Sequence, residues 1–95
     1  MPGPEARIEA RLVRGARAHG LLAPKFTTTE RGWPDRLILL PGGSVVWVEV
    51  KQLHGRVSAY QAKVHERLRA HGHDVHVVWS NEDVDQLLAA IGGDT

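Results

Sequence analysis

Two short runs rich in β-formers, Asp35–Leu40 and Val45–Lys51, are joined by Pro41-Gly42-Gly43-Ser44, and this pair constrains the fold more than any other feature of the chain. Runs of this kind on either side of Pro-Gly-Gly predict a β-hairpin. Side chains alternate along a strand, so Asp35, Leu37 and Leu39 share one face, and Val45, Trp47, Glu49 and Lys51 share another. A three-residue loop, Pro41-Gly42-Gly43, pairs Leu40 with Ser44 and sets Asp35 directly opposite Glu49. A four-residue loop shifts the register by one and turns Asp35 to the other face unless a bulge corrects it. Register therefore decides whether the two acids meet.

The rest of the chain places helices and one more strand around this hairpin. Residues from about Pro4 to His19 read as a helix, with Pro4 in the first turn and Gly20 as the stop. Ile8, Leu12, Val13 and Ala16 form its apolar face, and Glu9 falls inside that arc, an acid among hydrophobes. Residues 21–34 read as irregular, with a short extended piece at Lys25–Thr29, and Gly32-Trp33-Pro34 punctuates the chain before the hairpin. Ser58 with Gln61 three residues later is a capping box that opens a second helix ending near His71. Tyr60, Val64 and Leu68 line one side of that helix. Asp74–Trp79 alternates as a strand, and a last helix begins after Ser80 or Asn81 and runs to about Ile91. A helix between the hairpin and the last strand is the crossover that lets that strand add parallel to its neighbour. The expected fold class is α/β: a mixed central sheet, antiparallel hairpin plus a parallel-added strand, flanked by helices.

Size and composition narrow the functional classes. Ninety-five residues, 42% of them hydrophobic, fit one compact domain over residues 1–95. Without cysteine the chain has neither disulfides nor thiolate metal sites. No apolar run approaches the ~18 residues of a membrane span, and the first residues lack a signal-peptide core, so the expectation is a soluble, intracellular protein with no membrane partner. Twelve basic and 11 acidic side chains leave a net charge of +1. That permits nucleic acid as a partner only through local clusters of charge. Six histidines invite a metal reading, but His71, His73 and His76 straddle a helix end and a strand start and read as surface residues.

Asp35 and Glu49 carry the chemistry if they face each other. Carboxylates at ~4.5–5.5 Å Cβ separation destabilise a strand pair. A hard divalent cation, Mg2+ or Mn2+, reverses the sign, because such ions take carboxylate, carbonyl and water oxygens. The metal also lowers the pKa of bound water and offsets charge on a phosphate. Lys51, two residues beyond Glu49 on the same face, is placed to hold or deprotonate an attacking water or to stabilise the transition state.

Gly32-Trp33-Pro34-Asp35-Arg36, Glu49-Val50-Lys51, Gly55-Arg56-Val57-Ser58 with Gln61, and Gly72 before a valine-rich strand together resemble the virus-type replication-repair nuclease (VRR-NUC) domain, a branch of the PD-(D/E)XK nuclease superfamily. The resemblance runs from about residue 5 to residue 91. It implies a restriction-endonuclease-like α-β-β-β-α-β core, with Lys25–Thr29 as the candidate extra strand. It also implies an Mg2+- or Mn2+-dependent endodeoxyribonuclease. Asp35 and Glu49 match the metal-binding acids, the Val50 backbone carbonyl a further metal ligand, Lys51 the motif lysine, and Gln61 the glutamine on the helix after the core strands. Glu9 matches the first-helix acid, a metal ligand directly or through water.

Larger members of that family carry additional DNA-binding and repair modules. This chain resembles the stand-alone form of bacteriophages and prophages, which implies the cytoplasm of a bacterial host. It further implies a homodimer acting on branched DNA, including four-way (Holliday) junctions, with Trp33, Trp47 and Trp79 available to an interface or to the core. Two symmetric sites suit a two-fold substrate. Lys25, Arg31, Arg36, Arg56 and Lys63 are the candidate DNA contacts, lying in or after loops that flank the site. The alternatives are a flap or restriction-like nuclease of the same chemistry, and a non-cleaving DNA-binding accessory.

Overall fold

In a computed structural model, residues 3–92 are described. Helix α1 (Pro4–Ala18) is followed by strands β1 (Arg36–Leu39) and β2 (Val45–Val50), helix α2 (Ala59–Ala70), strand β3 (Asp74–Val78) and helix α3 (Asn81–Gly92). The sheet order is β1-β2-β3, with β1 antiparallel and β3 parallel to β2. This is the mixed sheet expected from the hairpin and its crossover helix.

Hairpin register is fixed at the turn. Leu40 N–H donates to the Ser44 carbonyl at 2.9 Å and Gly43 N–H to the Leu40 carbonyl at 3.2 Å, so the loop holds three residues. Gly42 and Gly43 both have positive φ, 91° and 97°, which a side chain would resist. The ladder then runs Leu39 to Val45, Leu37 to Trp47 and Arg36 to Val48. The odd register is the one that brings the acids together.

Strand alternation divides the core between the two faces of the sheet. Ile38, Val46, Val48, Val50 and Val78 meet Ile8, Leu12 and Ala16 of α1 and Val84, Leu87 and Leu88 of α3. On the other face, Trp47 and Val75 pack with Leu37, Val64, Leu68, Phe26 and Trp33, under α2. The Phe26, Trp33 and Trp47 ring centroids lie 5.0 to 5.5 Å apart, the tilted and edge-on geometry aromatic quadrupoles prefer. Trp79 is partly buried and donates its indole N–H to the Gly55 carbonyl at 2.8 Å. Among the described residues no helix is long and apolar enough to cross a membrane.

The extra strand needs correcting. The segment that runs antiparallel along the outer edge of β1 is 22–26, not 25–29, and it is held by isolated bridges, Leu22 to Leu39 and Lys25 to Arg36. Leu37 donates to the Pro24 carbonyl and Phe26 to the Asp35 carbonyl. Pro24 has no N–H to return, so the ladder is interrupted in its middle and no regular strand forms.

Candidate active site

Continuing the β1–β2 register by one residue sets Asp35 opposite Glu49, and by two sets Pro34 opposite Val50. Because Leu40 and Ser44 form a hydrogen-bonded pair, alternation makes Asp35–Glu49 a non-hydrogen-bonded pair, whose side chains approach most closely. Pro34 occupies a hydrogen-bonding position with no N–H to donate to the Val50 carbonyl. On the donor side, Val50 N–H turns to the Asp35 side chain, Oδ2 accepting at 2.9 Å. The proline thus leaves a backbone carbonyl beside two carboxylates, and the ladder ends where the site begins.

The loop before Pro34 is docked rather than free. Gly32 has φ of 91°, and a Cβ there would stand 2.6 Å from the Tyr60 carbonyl oxygen. Only glycine lets the loop lie this close to the start of α2. That contact fixes the approach of Trp33, Pro34 and Asp35.

Glu49 is 2% exposed. Its Oε2 accepts from Gln61 Nε2 at 3.1 Å. Gln61 serves two masters: its Oε1 accepts from Ser58 N–H at 2.9 Å while its own N–H donates to Ser58 Oγ at 3.1 Å, completing the capping box. The same amide therefore starts α2 and grips the buried acid. Glu49 Oε1 faces His65 Nε2 at 3.6 Å, beyond a hydrogen bond, and both atoms lack a partner among the described residues. Burial is the main force that pushes the Glu49 pKa up from 4.5 to about 8. The neighbouring Asp35 acts in the same direction, Glu5 adds to it, and Lys51 opposes. At neutral pH the chain thus keeps a proton on Glu49 that a cation would displace. The His65 pKa is lowered, by burial first and then by Arg69 and Lys51.

Lys51 follows the end of β2, half-buried, with its N–H donated to the Val78 carbonyl at 2.9 Å. Its charge is felt at both Glu49 and His65, which places it in the same neighbourhood. Asp35, Glu49, Lys51, Gln61 and the Val50 main chain are therefore gathered at one end of the hairpin.

Glu9 pairs with the neighbour of Asp35. Its Oε2 accepts from Arg36 Nε at 2.8 Å, and Arg36 also donates to the Ala23 carbonyl at 2.7 Å. Arg36 alternates with Asp35, so it turns to the face of the sheet that α1 covers, where Glu9 meets it. In the metal-free and DNA-free chain, then, Glu9 answers an internal cation and Arg36 spends its guanidinium on an internal acid and a backbone carbonyl. The first-helix acid whose charge reaches Glu49 is Glu5. It lies three residues before buried Ile8, a spacing that signals the same helix face.

Among the other basic residues, Lys25, Arg31, Arg56 and Lys63 are exposed, and Arg31 lies 4.2 Å over the Tyr60 ring. His71, His73 and His76 are exposed, as read from sequence, but His65 is 3% exposed and stands against the site. It sits four residues after Gln61 on α2, so the two share one face of the helix.

No protein-family model matches the chain. It is 40% identical over 88 residues to a phage protein, "Putative nuclease p44" of Acyrthosiphon pisum secondary endosymbiont phage 1, covering 92% of this chain and 94% of that one. A solved structure described as a "VRR_NUC domain" superposes with a TM-score of 0.86 at 34% identity, covering 92% of this chain and 96% of that chain. On identity, coverage and shared architecture together, the chain belongs to the VRR-NUC family of nucleases.

Proposed function

We propose that the chain is an endodeoxyribonuclease that hydrolyses phosphodiester bonds with a divalent cation, Mg2+ or Mn2+, at Asp35 and Glu49. The observation that carries this is a buried carboxylate facing a second one, beside a backbone carbonyl that Pro34 leaves without a ladder donor. Hard oxygen donors of this kind suit Mg2+ or Mn2+. Among the described residues no three His, Cys, Asp or Glu side chains cluster as a metal cage. The cation would therefore rest on two carboxylates, the Val50 carbonyl and water, which is how Mg2+ is commonly held. When bound, it supplies positive charge to the phosphate and acidifies water.

The remaining work falls to the chain itself. Gln61 holds Glu49 Oε2 in a fixed direction, and Val50 N–H holds Asp35, so neither acid needs to reorganise when substrate arrives. Lys51 orients the attacking water and offers its ammonium to the charge that develops on the phosphate oxygens. Attack forms one P–O bond as the bond to the leaving oxygen breaks, and the proton of the water passes to solvent or to the leaving oxygen. Lys25, Arg31, Arg56 and Lys63 are the candidate phosphate contacts, being exposed and flanking the site.

The substrate we assign is branched DNA, a four-way junction cut by a homodimer, on the resemblance to stand-alone members of the family and on the match of two symmetric sites to a two-fold substrate. Purified protein and its Lys51→Ala variant, incubated with four-way junction, flap and linear duplex in Mg2+ or EDTA, test the reading. Metal-dependent cutting that the variant loses while retaining DNA binding supports it. Preferential cutting of flap or linear duplex replaces the junction with another substrate. Cutting in EDTA, or none on any substrate, refutes hydrolysis at this site.

A further inference from the structure

A groove of about 660 Å3 lies between α2 and the loop before Pro34, with Trp47 as part of its floor. Trp33 and Arg31 line the loop side, and Tyr60, Val64 and Arg67 line the helix side. Each wall leads along the chain into the site described above. Trp33 precedes Asp35 by two residues, Tyr60 directly precedes Gln61, and Trp47 precedes Glu49 by two on the same strand face. Two residues of strand advance ~6.5 Å, about one nucleotide of unstacked DNA. Along α2 and its C-cap the lining extends from Tyr60 to His71, a rise of roughly 16 Å. The space fits one or two nucleotides and is within the usual size of a small-ligand site.

Its chemistry favours a base over a paired helix. Tyr60 is 54% exposed and belongs to neither core cluster, so packing does not account for it. Arg31 lies 4.2 Å over its ring, and Arg67 adds a second cation. The one acid of the lining, Glu30, accepts a hydrogen bond from the Trp33 indole at 3.0 Å. Aromatic faces bordered by guanidinium groups are how proteins hold unpaired bases and their phosphates. A fully paired duplex presents phosphates and groove edges, not ring faces, to such a surface.

We propose that this groove binds an unpaired base of the DNA strand adjoining the phosphate held at Asp35 and Glu49. That placement beside the bound phosphate rests on the nuclease reading; base binding in the groove does not. The groove then selects DNA in which the nucleotide next to the cut has lost its partner, as at a branch or a frayed end.

Fluorescence anisotropy in Ca2+, without cleavage, tests it with labelled duplex and the same duplex carrying a three-nucleotide single-stranded branch. The wild-type chain is expected to prefer the branched form. Tyr60→Ala is expected to weaken that binding roughly 5- to 150-fold, the range of one stacked base, and to leave paired duplex unchanged. Tyr60→Phe should retain the preference, and because Tyr60 is exposed both variants should melt with the wild type. Equal affinity of wild type for the two DNAs, or a Tyr60→Ala variant that keeps the preference, overturns the proposal. So does a Tyr60→Ala chain that sediments at half the wild-type mass with its DNA preference intact, since the groove would then seat a second copy of this chain. Failure of the nuclease reading is separately visible, as preference in Ca2+ without cutting in Mg2+ or Mn2+.

Discussion

Replacing Glu49 with glutamine is expected to stabilise the metal-free chain at alkaline pH, although it removes a central side chain of the site. Burial and the facing Asp35 raise the Glu49 pKa from 4.5 to about 8. Between those values the folded chain holds a proton that the unfolded chain has released. Stability from this group is thus fully present below pH 4.5 and is lost as pH rises through about 8. At about 1.36 kcal/mol per pH unit, 3.5 units amount to ~5 kcal/mol, an upper bound that relaxation and water entry reduce. From pH 6 to pH 9 the loss should be about 2–3 kcal/mol, since the fall ends near pH 8. For a chain of 95 residues that is on the order of 10 °C in Tm. The assay is urea or thermal unfolding of wild type and Glu49→Gln in EDTA, read as the difference between them at pH 6, 7, 8 and 9. Taking the difference cancels His65, whose lowered pKa makes its contribution fall toward acid pH instead. The same coupling predicts that Mn2+ stabilises the wild type more as pH rises, because the cation displaces the Glu49 proton, and stabilises Glu49→Gln far less. A pH-independent difference would refute the reasoning: Glu49 would be ionised at neutral pH without a cation.

Three further substitutions separate scaffold from site. Gly32→Ala forces a Cβ toward the Tyr60 carbonyl at a φ of 91°, and is expected to cost about 2–3 kcal/mol and to reduce cleavage ~100-fold or more by displacing Asp35, read by melting and by junction cutting. Glu9→Ala leaves the Arg36 guanidinium half-paired and should cost about 1–3 kcal/mol in urea unfolding while keeping Mn2+-dependent stabilisation. Glu5→Gln should do the reverse, weakening Mn2+ binding several-fold at low salt with melting unchanged, because its charge reaches Glu49 from an exposed position.

The features legible in the sequence were those fixed by local rules. A Pro-Gly-Gly turn and period-two alternation were enough to place the hairpin and to narrow it to two registers, and the turn hydrogen bonds select the one that sets Asp35 against Glu49. Ser58 and Gln61 announced their capping box. The features that were not legible depend on which face of the sheet an element covers. Glu9 sits on an apolar helix face, and the sequence does not say that Arg36, rather than a metal, lies beneath it. Only the packing of α1 on the Arg36 and Ile38 face decides that. His65 was hidden for the same reason: exposed and buried histidines look alike until α2 is docked. The edge segment was misplaced because Pro24 interrupts its ladder, so the residues that pair, Leu22 and Lys25, do not form a continuous β pattern.

Gln61 shows why a fold this small can hold a costly site. Capping and catalysis are usually weighed as rival explanations of a glutamine, yet its two amide ends allow both at once. Oε1 closes the box with Ser58 while Nε2 directs Glu49 Oε2. The start of α2 and the orientation of the buried acid are then a single arrangement, and one cannot loosen without the other. What the arrangement does not grip is Glu49 Oε1, which stands 3.6 Å from His65 Nε2 with neither atom satisfied within the described residues. A buried carboxylate with one oxygen held and the other unmet is at rest only while protonated. Proton release at neutral pH therefore calls for further positive charge near Glu49, which a divalent cation held by Asp35 and the Val50 carbonyl would supply where the chain's own cations, Lys51 included, leave the pKa at about 8.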